Sequence, residues 1–390
     1  MDARVEDVVA RCEALFEDVA LESVRAWKAE REGRRAVGYM PIYVPREILH
    51  AAGVLPVGVY GGGDRIEVIQ GDAYYQSYIC RIPRSTLELG LTGRLAALDG
   101  MLFPSTCDVI RNLSGMWRVM FPERYVRYVD VPQDYSDAVG GVFWRRELAS
   151  LREEMESLTG ARVTDDALRA SIAAYNDNRE ALRALYTLRA QRPWQAPTVE
   201  LYLLLRAGLV LPVEAHTTLV RQYIAAAQRA PRQRRDNARV VLTGTFCEQP
   251  PLGLIKSIEM AGCYIVDDDF LLTLRWLQGD VSTEGDPLES LARAFLHASV
   301  QTSSRYDERR EDKGRGLLEQ VRTRGAEGVI FAAPSFCDPA LLERPMLQEV
   351  LAAHGVPYTA FKYAENTGQL APIREQAGTF ADSIKLWGAA

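Results

Sequence analysis

The apolar positions of this chain follow two different patterns. Between 36 and 140, and again between 239 and 390, short apolar runs alternate with amphipathic stretches. Such runs predict buried parallel strands, and their alternation with helices is typical of α/β proteins. In residues 4–30 and between 141 and 238, apolar residues recur every three to four positions, which predicts helices. We therefore expect an α/β fold with two parallel-sheet domains of the Rossmann or flavodoxin type, an N-terminal helix and a helical connecting segment.

The changes of pattern also give the domain boundaries. The predicted units are an N-terminal helical segment, a first α/β domain, a helical segment and a second α/β domain, which cover 1–35, 36–140, 141–238 and 239–390, respectively. The helical segment is predicted to contain three long helices, over 144–158, 165–189 and 199–229. Thr164 precedes two aspartates and is the expected N-cap of the second of these helices.

Composition narrows the class of protein. The net charge of −6 argues against nucleic-acid binding, which usually requires a basic surface. No run of 18 or more apolar residues occurs, so no membrane span is expected. The first residues lack the basic and apolar regions of a signal peptide, which favours a cytoplasmic location. In that compartment the six cysteines are expected to be thiols or metal ligands instead of disulfides.

One short phrase occurs twice, once in each predicted α/β domain. Residues 99–108 read Asp-Gly-Met-Leu-Phe-Pro-Ser-Thr-Cys-Asp, and residues 327–338 read Glu-Gly-Val-Ile-Phe-Ala-Ala-Pro-Ser-Phe-Cys-Asp. Each apolar run predicts a buried strand, and each cysteine follows the carboxyl end of that strand. Open α/β sheets bind their ligands at this edge. Cys107 and Cys337 are therefore predicted to face one shared site.

A third cysteine, Cys80, comes just before a helix start that Pro83 favours, and a helix N-terminus stabilises a thiolate. Three thiolates held in this way suit zinc or an iron–sulfur cluster. The chain has no C-x-x-C pair, which is unfavourable to structural zinc, but the spacing leaves the metal open. Cys12 and Cys263 lie on apolar patterns and are expected in the core. No P-loop sequence occurs, so no ATP site is predicted.

Longer motifs point to a known family. Residues 74–121 run from Tyr-Tyr-Gln-Ser-Tyr-Ile-Cys-Arg-Ile-Pro-Arg-Ser to Cys-Asp-Val-Ile-Arg-Asn-Leu-Ser-Gly-Met-Trp, and residues 244–251 read Gly-Thr-Phe-Cys-Glu-Gln-Pro-Pro. Together with 327–346 and the tail from Ile373, they resemble the benzoyl-CoA reductase and 2-hydroxyacyl-CoA dehydratase family over nearly the whole chain. The resemblance is greatest to the smaller cluster-bearing subunit of its ATP-dependent reductases.

The resemblance implies a 4Fe–4S cluster held by three cysteines, at the positions of Cys80, Cys107 and Cys337. Cys247, in the Phe-Cys-Glu-Gln-Pro stretch, is either a fourth ligand or a neighbouring thiol. The implied partners are a homologous larger cluster-bearing subunit, an activator pair that hydrolyses ATP, reduced ferredoxin acting through that activator, and an aromatic acyl-CoA substrate. Because each half of the chain supplies cysteines, the cluster is expected between the two domains.

The implied activity is ATP-driven, ferredoxin-dependent, one-electron reduction of the ring of benzoyl-CoA to a cyclic dienoyl-CoA. Two alternatives stay open: a subunit of a 2-hydroxyacyl-CoA dehydratase, and a non-catalytic electron-relay or scaffold subunit of the reductase. Glu248 and Tyr78 are candidate proton donors, since both lie near the predicted cluster loops. Arg81 and Arg84 are candidate ligands of the CoA phosphates. Asp108 and Asp338 are expected to cap helices.

Overall fold

A computed structural model describes residues 4–245, 247, 249–305, 313–364 and 370–387 of the chain. Its strands β1 to β8 are Arg35–Tyr39, Val54–Gly58, Gly100–Pro104, Tyr125–Val129, Ala238–Thr243, Cys263–Asp268, Gly328–Pro334 and Tyr358–Tyr363. Its helices α1 to α14 are Val5–Glu17, Glu22–Ala29, Arg46–Ala51, Arg81–Leu91, Asp108–Met120, Val142–Thr159, Asp165–Gln191, Thr198–Ala207, Val213–Arg229, Leu252–Met260, Pro287–Ala298, Lys313–Arg324, Asp338–Ala353 and Leu370–Trp387. No helix in this described part of the chain combines the length and apolar character of a membrane span.

The strands form two sheets with the same topology. The first sheet has the order β2-β1-β3-β4 and the second the order β6-β5-β7-β8. Every strand pair is parallel. The predicted α/β class with two parallel sheets is therefore confirmed. The domain boundaries stay a prediction.

This strand order creates a crevice in each sheet. After β1 the chain moves to β2 on one side and then crosses back to β3 on the other side, and β5, β6 and β7 repeat the same path. The loops that leave β1 and β3 therefore diverge to opposite faces, as do those that leave β5 and β7. Ligands of open α/β sheets bind in the crevice outside the carboxyl ends of such strands.

Alternation along the strands divides the interior into three hydrophobic clusters. The largest covers one face of both sheets and packs them against α1, α8 and α9. The second covers the other face of the first sheet and contains apolar residues of α3, α6 and α11. The third is small and lies between the other face of the second sheet and α12 and α13. Since α11 follows β6 in the chain but packs against α6, the two halves interlock.

The long helix α7 is tied to both halves by buried ion pairs. Arg179 Nη1 donates to Glu47 Oε1 of α3 at 2.8 Å, and both side chains are buried. Further along α7, Arg189 donates to Asp268, the last residue of β6, and neither side chain is accessible to solvent. Buried charges persist only when they are paired in this way. The connecting helices therefore fix how the two sheets are placed.

Two predicted helices prove to be pairs of helices. Residues 4–30 break between α1 and α2, because Leu21 adopts a left-handed conformation with φ of 57°. The Asp18 carboxylate accepts hydrogen bonds from the N–H groups of Glu22 and Ser23 and so begins α2. The stretch 199–229 likewise breaks between α8 and α9, where Pro212 becomes the N-cap residue of α9. The predicted N-cap at Thr164 is confirmed, since its side chain accepts from Ala167 N.

Candidate functional site

Three cysteines each occupy the N-cap position of a helix. Cys80 precedes α4, Cys107 precedes α5 and Cys337 precedes α13. The expectation that Asp108 and Asp338 are the caps was wrong: each is the first helical residue, after the cysteine. Cys107 follows β3 and Cys337 follows β7, and each of these strands is the third of its sheet in chain order. Both cysteines therefore lie at the crevices. N-terminal N–H groups and the helix dipole favour a negative charge at all three positions.

The structure brings the two halves of this cysteine set together at Cys247. Burial raises the pKa of Cys247 well above its ordinary value, and the charges of Cys337, Cys107 and Cys80 raise that pKa further. Cys247 therefore lies within electrostatic range of each of the other three thiols. Cys80 and Cys107 pack against the largest hydrophobic cluster, whereas Cys337 and Cys247 belong to or pack against the second. The thiols of this set are therefore divided between the first and the second hydrophobic cluster.

The environment of Cys107 shows how the helix ends act on a thiol. Burial raises the pKa of Cys107, and the N–H groups of Ile110 and Val109 at the start of α5 act in the opposite direction. A thiol buried beside such donors is a poor free thiolate but a good ligand, because a bound cation replaces the solvent that burial removes. Cys107 therefore has the surroundings of a thiol that a bound cation would hold as a thiolate.

The other two cysteines have the surroundings predicted for core residues. Cys12 and Cys263 are fully buried in the largest hydrophobic cluster. Burial raises the pKa of each to about 12. The structure describes all six cysteines of the chain, and none of the six is in a disulfide. Neither Cys12 nor Cys263 is among the main influences on the pKa of Cys247, which separates this pair from the other four.

No three His, Cys, Asp or Glu side chains in the described part of the chain are close enough to bind one metal ion. This finding bears on a mononuclear site such as zinc, whose ligands surround a single centre. An iron–sulfur cluster presents its irons at separate corners, so its thiolates lie farther apart. The described residues thus include no preformed site for a single metal ion.

The predicted proton donors and CoA ligands have varied surroundings. The Tyr78 side chain is 63% exposed. Arg81 Nη2 donates to the Ile66 carbonyl oxygen at 2.9 Å, and Arg84 forms an ion pair with Asp72 at 3.0 Å. These contacts show what the two arginines bind within the chain, and their role toward CoA stays a prediction. Glu248 lies outside the described residues.

Two residues near the thiols were missed by sequence reasoning. The Tyr75 hydroxyl is buried and has no hydrogen-bond partner among the residues that the structure describes, and burial together with Cys80 and Cys107 raises its pKa. Asp269 follows β6 and binds the loop that leads to Cys247. Burial raises the pKa of Asp269 to about 6, although hydrogen bonds from Thr245 and Gly244 lower it. The run Asp267-Asp268-Asp269 is visible in the sequence. It does not show that Asp269 binds Gly244 and Thr245, because those residues are distant in the chain.

A cavity of about 1200 Å³ opens beside this site. It extends from α7, α12 and α13 to the carboxyl ends of β5 and β6, where Gly244 and Asp269 line it. Arginines and carboxylates occur in its wall in nearly equal numbers, and most of the arginines pair with acids. The cavity therefore reaches the back of the Cys247 loop without forming a strongly positive surface.

Comparison with known proteins agrees with the cysteine pattern. The family model for the 2-hydroxyglutaryl-CoA dehydratase D-component matches residues 41–384. The chain is 63% identical to the C subunit of benzoyl-CoA reductase from Thauera aromatica, over 98% of this chain and 99% of that protein. It is 28% identical to the beta subunit of lactoyl-CoA dehydratase from Anaerotignum propionicum, over 98% of this chain and 100% of that protein.

A third relative, the beta subunit of (R)-2-hydroxyglutaryl-CoA dehydratase from Acidaminococcus fermentans, is 29% identical over 92% of this chain and 94% of its own length. These three relatives are thus subunits of a reductase or a dehydratase that is named after a CoA thioester, and the likeness covers nearly all of each chain. The resemblance stated from the motifs is confirmed. The chain belongs to the 2-hydroxyglutaryl-CoA dehydratase D-component family, which includes benzoyl-CoA reductase and 2-hydroxyacyl-CoA dehydratase subunits.

Proposed function

We propose that this chain is the smaller cluster-bearing subunit of an ATP-dependent benzoyl-CoA reductase. Its 63% identity to the Thauera aromatica protein over 98% of the chain is the observation that carries this proposal. The reaction is the stepwise reduction of the aromatic ring of benzoyl-CoA to a cyclic dienoyl-CoA. It consumes two electrons and two protons for each ring.

Cys80, Cys107 and Cys337 would hold a 4Fe–4S cluster. When bound, such a cluster supplies single electrons at a negative potential, which ring reduction requires because the first electron destroys aromaticity. Each of the three cysteines directly precedes a helix, and the positive end of the helix dipole would offset the negative charge of a thiolate there. Cys247 is either a fourth ligand or a thiol that lies beside the other three, since its pKa responds to all of them.

The proposed partners follow from the division of chemistry. The chain has no P-loop, so ATP hydrolysis would belong to a separate activator pair, which receives electrons from reduced ferredoxin. A homologous larger subunit would hold a second cluster. Tyr78, two residues before Cys80, is exposed, and Phe336, directly before Cys337, is half exposed, so both are available to a partner surface. An enzyme with these partners would work in the cytoplasm under anaerobic conditions.

Tyr78 and Glu248 are the proposed proton donors, because both are near the cysteine loops in sequence. Arg81 and Arg84 are the proposed CoA ligands. Both are on the first turn of α4, directly after Cys80, so a phosphate bound there would lie close to the cluster. These four assignments depend on where the acyl-CoA binds. A photoreactive benzoyl-CoA analogue, mapped by mass spectrometry in the complex, would locate it.

Iron binding tests the ligand assignment. Cys107→Ser and Cys337→Ser, each in the anaerobically purified complex, are expected to lose the iron of one cluster and its EPR signal. The matched control is Cys263→Ala, which removes a buried thiol of the core and should retain all the iron. Full iron content in both serine variants would defeat the assignment.

A second candidate function is that of a 2-hydroxyacyl-CoA dehydratase subunit, because two dehydratase beta subunits are 28% and 29% identical to this chain. The amount of ATP hydrolysed in each catalytic cycle distinguishes the reductase from the dehydratase. The reductase should hydrolyse ATP in every catalytic cycle with benzoyl-CoA. Continued dehydration of a 2-hydroxyacyl-CoA after one brief activation would instead identify a dehydratase. The photoreactive analogue also addresses the relay alternative: label confined to the partner subunit would indicate that this chain only passes electrons.

A further inference from the structure

The loop that carries Cys247 is held by one carboxylate. Asp269 Oδ2 accepts a hydrogen bond from Gly244 N at 2.6 Å and one from Thr243 Oγ1 at 3.2 Å. Asp269 Oδ1 accepts from Thr245 N at 2.9 Å and also from the Thr245 hydroxyl. The carboxylate therefore satisfies both N–H groups that the chain presents as it leaves β5. Charge-assisted hydrogen bonds of this kind are stronger than neutral ones.

A second side chain holds the same loop from its other end. Gln249 Nε2 donates to the Thr245 carbonyl oxygen at 3.0 Å and to that of Cys247 at 3.4 Å. Gln249 Oε1 accepts from Leu271 N at 3.2 Å, and the Gln249 side chain is buried. Asp269 and Leu271 belong to the same short segment after β6. The segment that follows β6 thus binds the Cys247 loop at two points.

Steric constraint adds to these hydrogen bonds. Gly244 adopts φ of 108°, a conformation that side chains rarely allow. A Cβ at this position would lie 2.7 Å from the carbonyl oxygen of Ala332 in β7, the strand that precedes Cys337. The loop therefore packs directly against β7. A small displacement of the loop would change the distance between the thiols of Cys247 and Cys337.

We propose that Asp269 and Gln249 are positioning residues that hold the loop of Cys247, and with it the thiol, in place near Cys80, Cys107 and Cys337. The clamp is specific to the second half: after β1, the equivalent loop contains no cysteine and is packed by apolar side chains. The consequence for a bound cluster rests on the proposed function. The clamp itself does not, because it concerns the loop and its thiol.

The test uses Asp269→Asn in the anaerobically purified complex. The amide can accept at only one of its two terminal atoms, so one of the two N–H groups of Gly244 and Thr245 loses its acceptor. Alkylation of Cys247 by iodoacetamide, followed by mass spectrometry, is expected to accelerate about tenfold, because the loop opens more often without this bond. Cys12 and Cys263 should react as in the unmodified chain. The EPR spectrum of the reduced complex should shift as well.

Asp286→Asn is the matched control. Asp286 also accepts two backbone N–H groups, from Leu288 at 2.9 Å and Glu289 at 3.3 Å, but it caps α11. This variant should leave both the alkylation rate of Cys247 and the EPR spectrum unchanged. Gln249→Met provides a second approach if Asp269→Asn does not fold, and it should accelerate alkylation of Cys247 in the same direction.

Two outcomes would overturn the proposal. One is a Cys247 alkylation rate that stays within about twofold of the unmodified chain in both variants. The other is equal acceleration at Cys12 and Cys263, which would mean that the substitution loosens the whole core. A complex that contains no iron would instead contradict the proposed function, and the alkylation result would still decide whether the clamp exists.

Discussion

The two parallel sheets share one strand order but differ in what their loops supply. In the first half, the loop after β1 is buried and apolar, and its Tyr43 packs against Phe295 of α11 with ring centroids 5.6 Å apart. In the second half, the loop after β5 carries Cys247 and is held by Asp269. Only the turns after β3 and β7 are alike, since each ends in a cysteine that precedes a helix. The loop after the first strand thus serves packing in one half and carries a thiol of the site in the other.

The outer faces of the sheets differ in the same way. A large hydrophobic cluster covers the outer face of the first sheet, and α11 from the second half completes it. A much smaller cluster covers the outer face of the second sheet, beside the cavity that reaches Asp269. The outer face of the first sheet is therefore covered by apolar side chains, whereas the outer face of the second sheet lies beside a cavity. A repeated fold does not imply two repeated sites.

The largest expected effect tests whether the halves are independent folding units. Arg189→Met leaves the buried Asp268 carboxylate without its main partner, and Arg179→Met does the same to Glu47 in the first half. Each substitution should lower the free energy of unfolding by about 3–5 kcal/mol. Because one hydrophobic cluster spans both sheets, both variants should shift a single common transition in urea.

The double variant Arg189→Met with Asp268→Asn is the control, since removing both charges should recover part of the loss. Two separate urea transitions, each moved by only one of the arginine variants, would contradict the common core and would support independent halves.

A second prediction places acid sensitivity in the connecting helices instead of either sheet. His216 in α9 is buried, with Nδ1 beside the Asn178 amide and Nε2 beside the Leu204 carbonyl oxygen, each at 3.0 Å. Burial lowers the pKa of His216 to about 4 from an ordinary value of 6.5. The unfolded chain therefore binds a proton first as the pH falls. The stability from neutral His216 is present above pH 6.5 and is lost as the pH falls toward 4.

Lowering the pH from about 7.5 to about 5 should reduce the free energy of unfolding by about 2 kcal/mol through this residue alone. Urea unfolding of the unmodified chain and of His216→Gln at both pH values measures the effect. The glutamine variant should lack this part of the pH dependence. Identical pH dependence in the two proteins would show that His216 is not the sensitive group.

The smallest expected effect compares the two cysteine turns directly. Phe336, directly before Cys337, has a left-handed backbone with φ of 68°, and its side chain is half exposed. Thr106, directly before Cys107, is buried and does not have a positive φ. Phe336→Gly relieves backbone strain and should raise the free energy of unfolding by up to about 1 kcal/mol. Thr106→Gly should lower it by about 1 kcal/mol, because glycine only adds freedom to the unfolded chain. Changes of equal sign in urea unfolding would mean that the two turns are equivalent.

The sequence was sufficient for the features that depend on neighbouring residues. Apolar runs followed by Pro-Ser-x-Cys-Asp predicted β3 and β7 and placed Cys107 and Cys337 at their carboxyl ends, because a buried strand and its turn are local patterns. The same reasoning missed the break at Leu21, where a left-handed residue interrupts a continuous apolar stripe. It also gave the N-cap role to Asp338, since aspartate is a far commoner cap than cysteine.

Local patterns along the chain were thus enough to predict the α/β class, the place of the cysteines after their strands and the family to which the chain belongs. The tertiary structure alone decided which thiols meet and what holds them. Cys80, Cys107, Cys247 and Cys337 come together because two sheets and α7 are packed in one arrangement. Asp269 binds a loop 25 residues before it because β5 and β6 are neighbours in the sheet. Such contacts depend on packing between distant segments, which leaves no periodic trace in the sequence.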